Sequence, residues 1–419
     1  MDISTVISLE EARAIVAEKV KPGRVETVPL VQAIGRVLAA DVTSDIDVAP
    51  FDDSAMDGFA VVAADLEAAS TEDSVQLECV GYIGAGSCYE PTLQPGQCVR
   101  IMTGAPVPAG ANAVEKIEAV TFTGEGLVGD TISFTAPIKL GRNIRKAGEE
   151  AKAGEVVLPA GTVINPAGAG LLASTGNLEV PVYARPVVGF VGIGSELVDA
   201  AEVPGPGMIR DSNRYSVAAY IQAAGGIPRL YARVPDDAEA IQAAMETALA
   251  ECDALVTTGG ACAGDFDLTG ITLEKLGEIH FVRVNLKPGK SQPFGTVDGK
   301  PVFVLSGNPG ASAVGCEMYV RLGIRCMQGY TKLDRPRIKA TLTCDIKKKG
   351  DTRMILQRGV VSQREDGSWE AVLMGNQSSG LYGSLQRSNC LIVVPTGNAD
   401  LATGDQVECL LTLVSEEAL

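Results

Sequence analysis

The 419-residue sequence predicts a multidomain chain of the α/β plus β class, with a doubly wound α/β domain over about 186 to 330 and β-rich regions on both sides of it. Three observations carry this. Apolar strands alternate with helical periodicity between Pro186 and Tyr330, short β-branched runs punctuated by Gly and Pro fill about 25 to 164, and short alternating strands return after Leu333-Asp334-Arg335-Pro336. At roughly 150 residues per domain the length suggests about three domains.

Taken in order, Ser8-Leu9-Glu10-Glu11 has the S-x-x-E form of a capping box, and Leu9, Ala12, Ile15, Val16 and Val20 follow at helical spacing, so an amphipathic helix opens the chain. The next region carries the strand-like runs VLAADV, GFAVVA, QCVRIM, TISFTA and EVVLPAGTVI. Asn165-Pro166 supplies an N-cap and a first helical residue, and Gly176 a stop. The α/β region then reads as strand 187 to 193, helix NRYSVAAYIQAAG, strand RLYARV (229 to 234), helix DAEAIQAAMETALAEC, strand ALVTTGG and helix LTGITLEKLG. Strands EIHFVRV and PVFVL and the helix PGASAVGCEMYVRLGIRCMQ complete it.

Composition narrows the function. Against 35 Lys+Arg stand 52 Asp+Glu, a net charge of −17, which is the wrong sign for a protein that grips nucleic-acid phosphates. No stretch approaches the roughly 18 apolar residues of a membrane span. The amino terminus carries charges where a secretory signal needs an apolar core, and it lacks a small-residue cleavage site, so a soluble, cytoplasmic protein is expected. Ten cysteines without a C-x-x-C pair read as reduced, mostly buried thiols. The one histidine, His280, sits in a strand-like run, which removes histidine triads and H-E-x-x-H sites. Chemistry falls to carboxylates, lysines, arginines, hydroxyls and backbone amides.

In open α/β sheets ligands bind beyond the carboxyl ends of the strands. The segments found there are Gly194-Ser195-Glu196, Pro235-Asp236-Asp237, Gly259-Gly260 through Asp267, Lys287-Pro288-Gly289-Lys290-Ser291 and Ser306-Gly307-Asn308-Pro309. Gly259-Gly260 and the Asn308 loop are suited to expose amides to an anion; each reads equally as a plain strand-to-helix turn, with Asn308 a cap. Gly289-Lys290-Ser291 is not the end of a Walker A loop, since Val284 stands where glycine is required. Lys287 and Lys290 either cradle an anion or are solvated. Carboxylates at Glu196, Asp236 and Asp267 facing those lysines make chemical sense if Mg²⁺ bridges them to a phosphate-bearing ligand.

The string Pro50-Phe51-Asp52-Asp53-Ser54-Ala55-Met56-Asp57-Gly58-Phe59-Ala60 resembles the signature of the molybdopterin molybdenumtransferase family, the MoeA proteins and the gephyrin E domain. RIMTGAPVPAGANAV, NIRKAGEE, VGIGSEL, the Asp211-Ser212-Asn213 triplet, TTGGACAGDFD, LKPGKSQPFG and SGNPGASA match in the same order, so the resemblance covers nearly the whole chain.

The resemblance implies an elongated, homodimeric subunit with a three-layer, molybdopterin-binding α/β domain. Its parts would be a split β-rich domain of 1 to 43 and 141 to 182, an inserted β-rich domain of 44 to 140, the α/β domain of 183 to 331 and a β-barrel-like domain of 332 to 419. The implied activity is insertion of molybdate into adenylylated molybdopterin with release of AMP, assisted by Mg²⁺. Asp57 and Glu150 of one subunit would lie across the interface from Glu196, Asp236 or Asp237, and Asp267 of the other, to bind metal and position water, with Thr103 nearby. Lys287 and Lys290 would neutralise phosphate or oxyanion charge, helped by amides at Gly259, Gly260 and Asn308, with Arg353 and Ser378 or Ser379 as further candidates for an oxyanion pocket. The sequence departs from the family pattern at Asp53, Glu150, Ser195, Cys262, Ser291 and Ser306, where Asn, Asp, Asp, Ser, Pro and Pro are usual. A paralogue that loads tungstate and a non-catalytic dimeric scaffold are the alternatives the same resemblance leaves open.

Overall fold

A computed structural model describes residues 5–260 and 268–412. The chain forms two compact units, one of Thr27–Val182 and one that joins the first 26 residues to Tyr183–Leu419.

The larger unit holds a seven-stranded sheet in the order Val6–Ile7, Glu278–Val284, Ser291–Val297, Lys300–Leu305, Ala254–Thr258, Val187–Gly192, Ile227–Leu230. Every strand runs parallel except Ser291–Val297, which is antiparallel to both neighbours. Helices cover both faces, so the central strands Lys300–Leu305, Ala254–Thr258 and Val187–Gly192 are buried almost throughout and successive residues feed opposite cores. Phe303 and Leu305 join one core with Val217, Ile221 and Tyr319, whereas Val302 and Val304 join the other with Ile241, Met245 and Leu273. The opening helix, Leu9–Lys19, packs on the first of these faces. Its capping box forms, with the Ser8 hydroxyl accepting from the Glu11 amide at 3.1 Å and the Glu11 carboxylate from the Ser8 amide at 2.8 Å.

The remainder of this unit is a six-stranded sheet of Leu286–Lys287, Met354–Gln363, Trp369–Leu373, Arg337–Leu342, Gln406–Leu411 and Cys390–Val394. Met354–Gln363 also pairs with Cys390–Val394, which closes five strands into a small barrel around Ala340, Leu342, Ile392 and Cys409. Leu286–Lys287 adds to its edge by pairing with Met354 and Ile355.

The smaller unit contains a six-stranded sheet ordered Ala113–Lys116, Gly58–Val61, Gln97–Ile101, Val75–Ile83, Thr131–Phe134, Val120–Phe122 over a core that includes Phe59, Leu77 and Phe134. A second core around Leu38, Ile164 and Val180 underlies the helix Pro166–Ser174, whose Asn165 cap accepts from the Gly168 amide at 2.7 Å.

Three elements differ from the sequence reading. The strand expected at 229 to 234 is Ile227–Leu230; it is an edge strand, and the chain leaves the sheet until Val234 touches Ile193. Ser291–Val297 is a strand despite Pro293, which sits where the register to Glu278–Val284 slips, so the missing N–H disturbs no regular ladder. The helix after Pro309 contains a π-helical stretch, Cys316–Val320, in which buried Glu317 pairs with Arg335 at 2.9 and 3.1 Å. All nine described cysteines are free, and among the described residues no helix is long and apolar enough to cross a membrane.

Candidate functional site

The single reversed strand determines the site. Because Ser291–Val297 runs back across the sheet, the segments that end Glu278–Val284 and Lys300–Leu305 emerge on the same rim as those of the other parallel strands. The acidic loops, the glycine pair and the dibasic loop therefore share one rim, where two adjoining cavities open.

The larger, about 820 Å³, is lined by Glu196, Asp211, Asp236, Gly259, Gly260 and Tyr382 among others. Gly259 has φ +88°, and a Cβ there would fall 1.9 Å from the Ile193 carbonyl, so no other residue brings the backbone this close. Asp236 and Ser195 are bonded reciprocally: the Ser195 amide donates to Asp236 Oδ2 at 2.8 Å, and the Asp236 amide to Ser195 Oγ at 3.1 Å. This fixes one carboxylate oxygen of Asp236 and leaves the other. Asp237 caps the helix Ala238–Glu251, accepting from the Ala240 amide at 2.9 Å. Asp211 is 4% exposed, and burial raises its carboxyl above the ordinary range against the counteracting Arg214 amide.

The smaller cavity, about 570 Å³, brings together Lys287, Lys290, Asn308, Arg353, Ser378 and Ser379, six of the residues singled out from the sequence. Ser306 and Asn308 line both cavities. Lys287 and Arg353 are held by one carboxylate, Asp351, with Lys287 Nζ at 3.0 Å and Arg353 Nη2 at 2.6 Å. The guanidinium of Arg353, followed by the Lys287 ammonium, holds that carboxyl well below the usual range.

Sequence reasoning missed Arg358. It is 4% exposed, lines the smaller cavity, and donates from Nη2 to the Ser378 carbonyl at 3.1 Å; its buried Nε has no partner among the described residues. Burial lowers its pKa from the ordinary arginine value. A guanidinium buried without a carboxylate calls for an anion. The available signal was an arginine inside the apolar run of Met354–Gln363.

In the smaller unit, Asp57 Oδ1 accepts from both the hydroxyl and the amide of Thr103, each at 2.7 Å, and these bonds hold its carboxyl below the ordinary value. Gly58 follows because a Cβ there would fall 1.9 Å from the Glu115 carbonyl. Lys146 pairs with Asp52 at 2.6 Å and Arg145 with buried Asp53 at 2.6 Å, which ties the PFDDSAMDG and NIRKAGEE segments together. Glu150 is exposed, its amide bonded to the Val48 carbonyl at 2.9 Å. Asp267 lies outside the described residues. Among the described residues no group of three or more His, Cys, Asp or Glu side chains is placed to hold a metal ion.

Three family models match in succession: the MoeA N-terminal region (domain I and II) at residues 7–176, the probable molybdopterin binding domain at 189–325 and the MoeA C-terminal region (domain IV) at 339–412. The chain is 37% identical over 412 residues to a molybdopterin molybdenumtransferase of Bacillus subtilis, covering 97% of this chain and 94% of that protein. A molybdopterin molybdenumtransferase of Haemophilus influenzae is 33% identical over 96% of this chain and 98% of its own length. The crystal structure of a molybdopterin biosynthesis MoeA protein from Pyrococcus horikoshii OT3 superposes with a TM-score of 0.82 at 29% identity, covering 97% of this chain and all of that one. With the signature segments, the three-layer domain and the paired cavities in place, the chain belongs to the MoeA family of molybdopterin molybdenumtransferases.

Proposed function

We propose that this protein is a cytoplasmic homodimer that makes molybdenum cofactor by inserting molybdate into adenylylated molybdopterin with release of AMP, assisted by Mg²⁺. The observation that carries the reading is the pair of adjoining cavities on one rim, one lined by carboxylates and a glycine pair, the other by Lys287, Lys290, Arg353 and Arg358. The basic cavity takes the oxyanion: Lys290 and Arg358 have no carboxylate partner among the ion pairs of the described residues, so both are available to a tetrahedral dianion. The larger cavity takes the adenylylated pterin, with the backbone at Gly259 and Gly260 close to its phosphates.

The donor set of the larger cavity fits magnesium, which takes oxygen ligands and is bound by one or two carboxylates together with substrate phosphates. Glu196 and Asp236 would hold it, with Asp267 as the further candidate. Bound there, it would neutralise phosphate charge as the adenylyl link is cleaved. Ser195 keeps Asp236 oriented, and Ser306 and Asn308 form the wall across which the two substrates meet. Asp57 and Glu150 of the second copy would complete the cleft, with Thr103 fixing Asp57.

The test is to supply adenylylated molybdopterin and Mg²⁺ with either molybdate or tungstate and follow AMP release. Asp236→Asn is expected to lower turnover at least about 100-fold, in line with loss of a charged group at a reaction centre. Lys290→Ala is expected to raise the half-saturating oxyanion concentration about tenfold or more. Equal, slow release by wild type and both variants would remove the enzymatic reading.

A further inference from the structure

Two segments form walls of both cavities. The first is the loop Ser306–Pro309, whose Ser306 and Asn308 face each cavity. The second comes from the C-terminal barrel: Ser378 and Ser379 line the smaller cavity, and Gly380 and Tyr382 line the larger. They are joined through Asn213, the first residue of the helix Asn213–Ala223 and 8% exposed. The Tyr382 phenol donates to Asn213 Oδ1 at 2.7 Å across 169 positions of sequence, and Asn213 Nδ2 donates to the Gly307 carbonyl at 2.8 Å. Beside this chain the Gly310 amide donates to the Ser379 carbonyl at 2.6 Å. Burial raises the Tyr382 pKa, so the phenol stays protonated and donating at neutral pH.

The consequence reaches the buried guanidinium. Arg358 Nη2 is aimed by the Ser378 carbonyl, so whatever fixes the 378 to 382 segment also fixes the cation that faces the smaller cavity. We propose that Tyr382 and Asn213 are positioning residues that latch the serine segment to the Ser306–Pro309 loop and thereby set the oxyanion affinity of the smaller cavity. The inference rests on the reading of that cavity as the oxyanion site. Removing the phenolic oxygen leaves Asn213 Oδ1 with the Ser312 hydroxyl at 3.3 Å and Asn213 Nδ2 with Gly307, so Asn213 keeps a partner at each end, while the serine segment loses the phenol's tie to Asn213 and its interactions with the Ser212 and Ser216 side chains.

The experiment uses the full chain as wild type and Tyr382→Phe. Equilibrium dialysis with molybdate alone measures binding, and AMP release measures turnover with molybdate and adenylylated pterin varied separately. The variant is expected to bind molybdate about 5- to 10-fold more weakly, the size of one neutral hydrogen bond. The half-saturating molybdate concentration rises to match, and by a clearly larger factor than half-saturation by the pterin, whose cavity Tyr382 also lines. Unchanged molybdate binding in the variant overturns the latch. So does a uniform loss, in which both half-saturation values and kcat worsen together with the melting temperature, because that is what a purely structural bond would produce. Failure of the wild type itself to retain molybdate would instead overturn the assignment of the smaller cavity, and the latch with it.

Discussion

Single residues in this protein are held in states that their surroundings select. Asp211 is the clearest case: burial raises its native carboxyl pKa, so the folded state resists ionisation more than the unfolded chain does. Its contribution to stability therefore falls as pH rises through the ordinary aspartate value near 3.9, and the full penalty is present above the raised native value. Asp211→Asn, which retains an acceptor for the Arg214 amide, is expected to stabilise the protein at pH 7 and to lose that gain below about pH 4, where the aspartate is protonated in both states. Denaturant titration at both pH values checks it. At this scale the sequence was legible where motifs exist: Lys287, Lys290, Asn308 and the serine pair are gathered around one cavity. Arg358 was not, because its meaning depends on burial without a carboxylate, and burial is set by the barrel, not by neighbours in sequence.

Local elements follow rules of short range, which is why many of them could be read in advance. The capping box at Ser8 and the Asn165-Pro166 helix start both depend on residues within one turn. Ser8→Ala is expected to cost about 1 kcal/mol by thermal or chemical unfolding. The glycine at the rim is far less forgiving. Gly259→Ala demands a disfavoured φ and a collision with the Ile193 carbonyl, and is expected to cost about 2–4 kcal/mol and to abolish pterin binding together with it. Elements that escaped the reading depend on distant partners. Ser291–Val297 looks interrupted by Pro293 until the slipped register against Glu278–Val284 is seen, and Ile227–Leu230 ends early because it has a neighbour on one side only.

At the scale of the whole molecule, two compact units with separate cores imply that unfolding is not a single all-or-none event. Calorimetry is expected to give a measured enthalpy larger than the van't Hoff value; equality of the two would mean that the units melt as one. The passage into the seven-stranded sheet and then into the barrel strands was legible from the change of texture near Pro186 and again near Pro336, because strand and helix periodicities differ there. What the texture concealed is that the barrel borrows from its predecessor. Leu286 and Lys287 are covalently part of the α/β region yet hydrogen-bond beside Met354 and Ile355. A fragment beginning at residue 332 would thus expose a bare β-margin at its longest strand, ready to recruit a strand from another molecule, and self-association of such a fragment is the liability to design against when the barrel is excised.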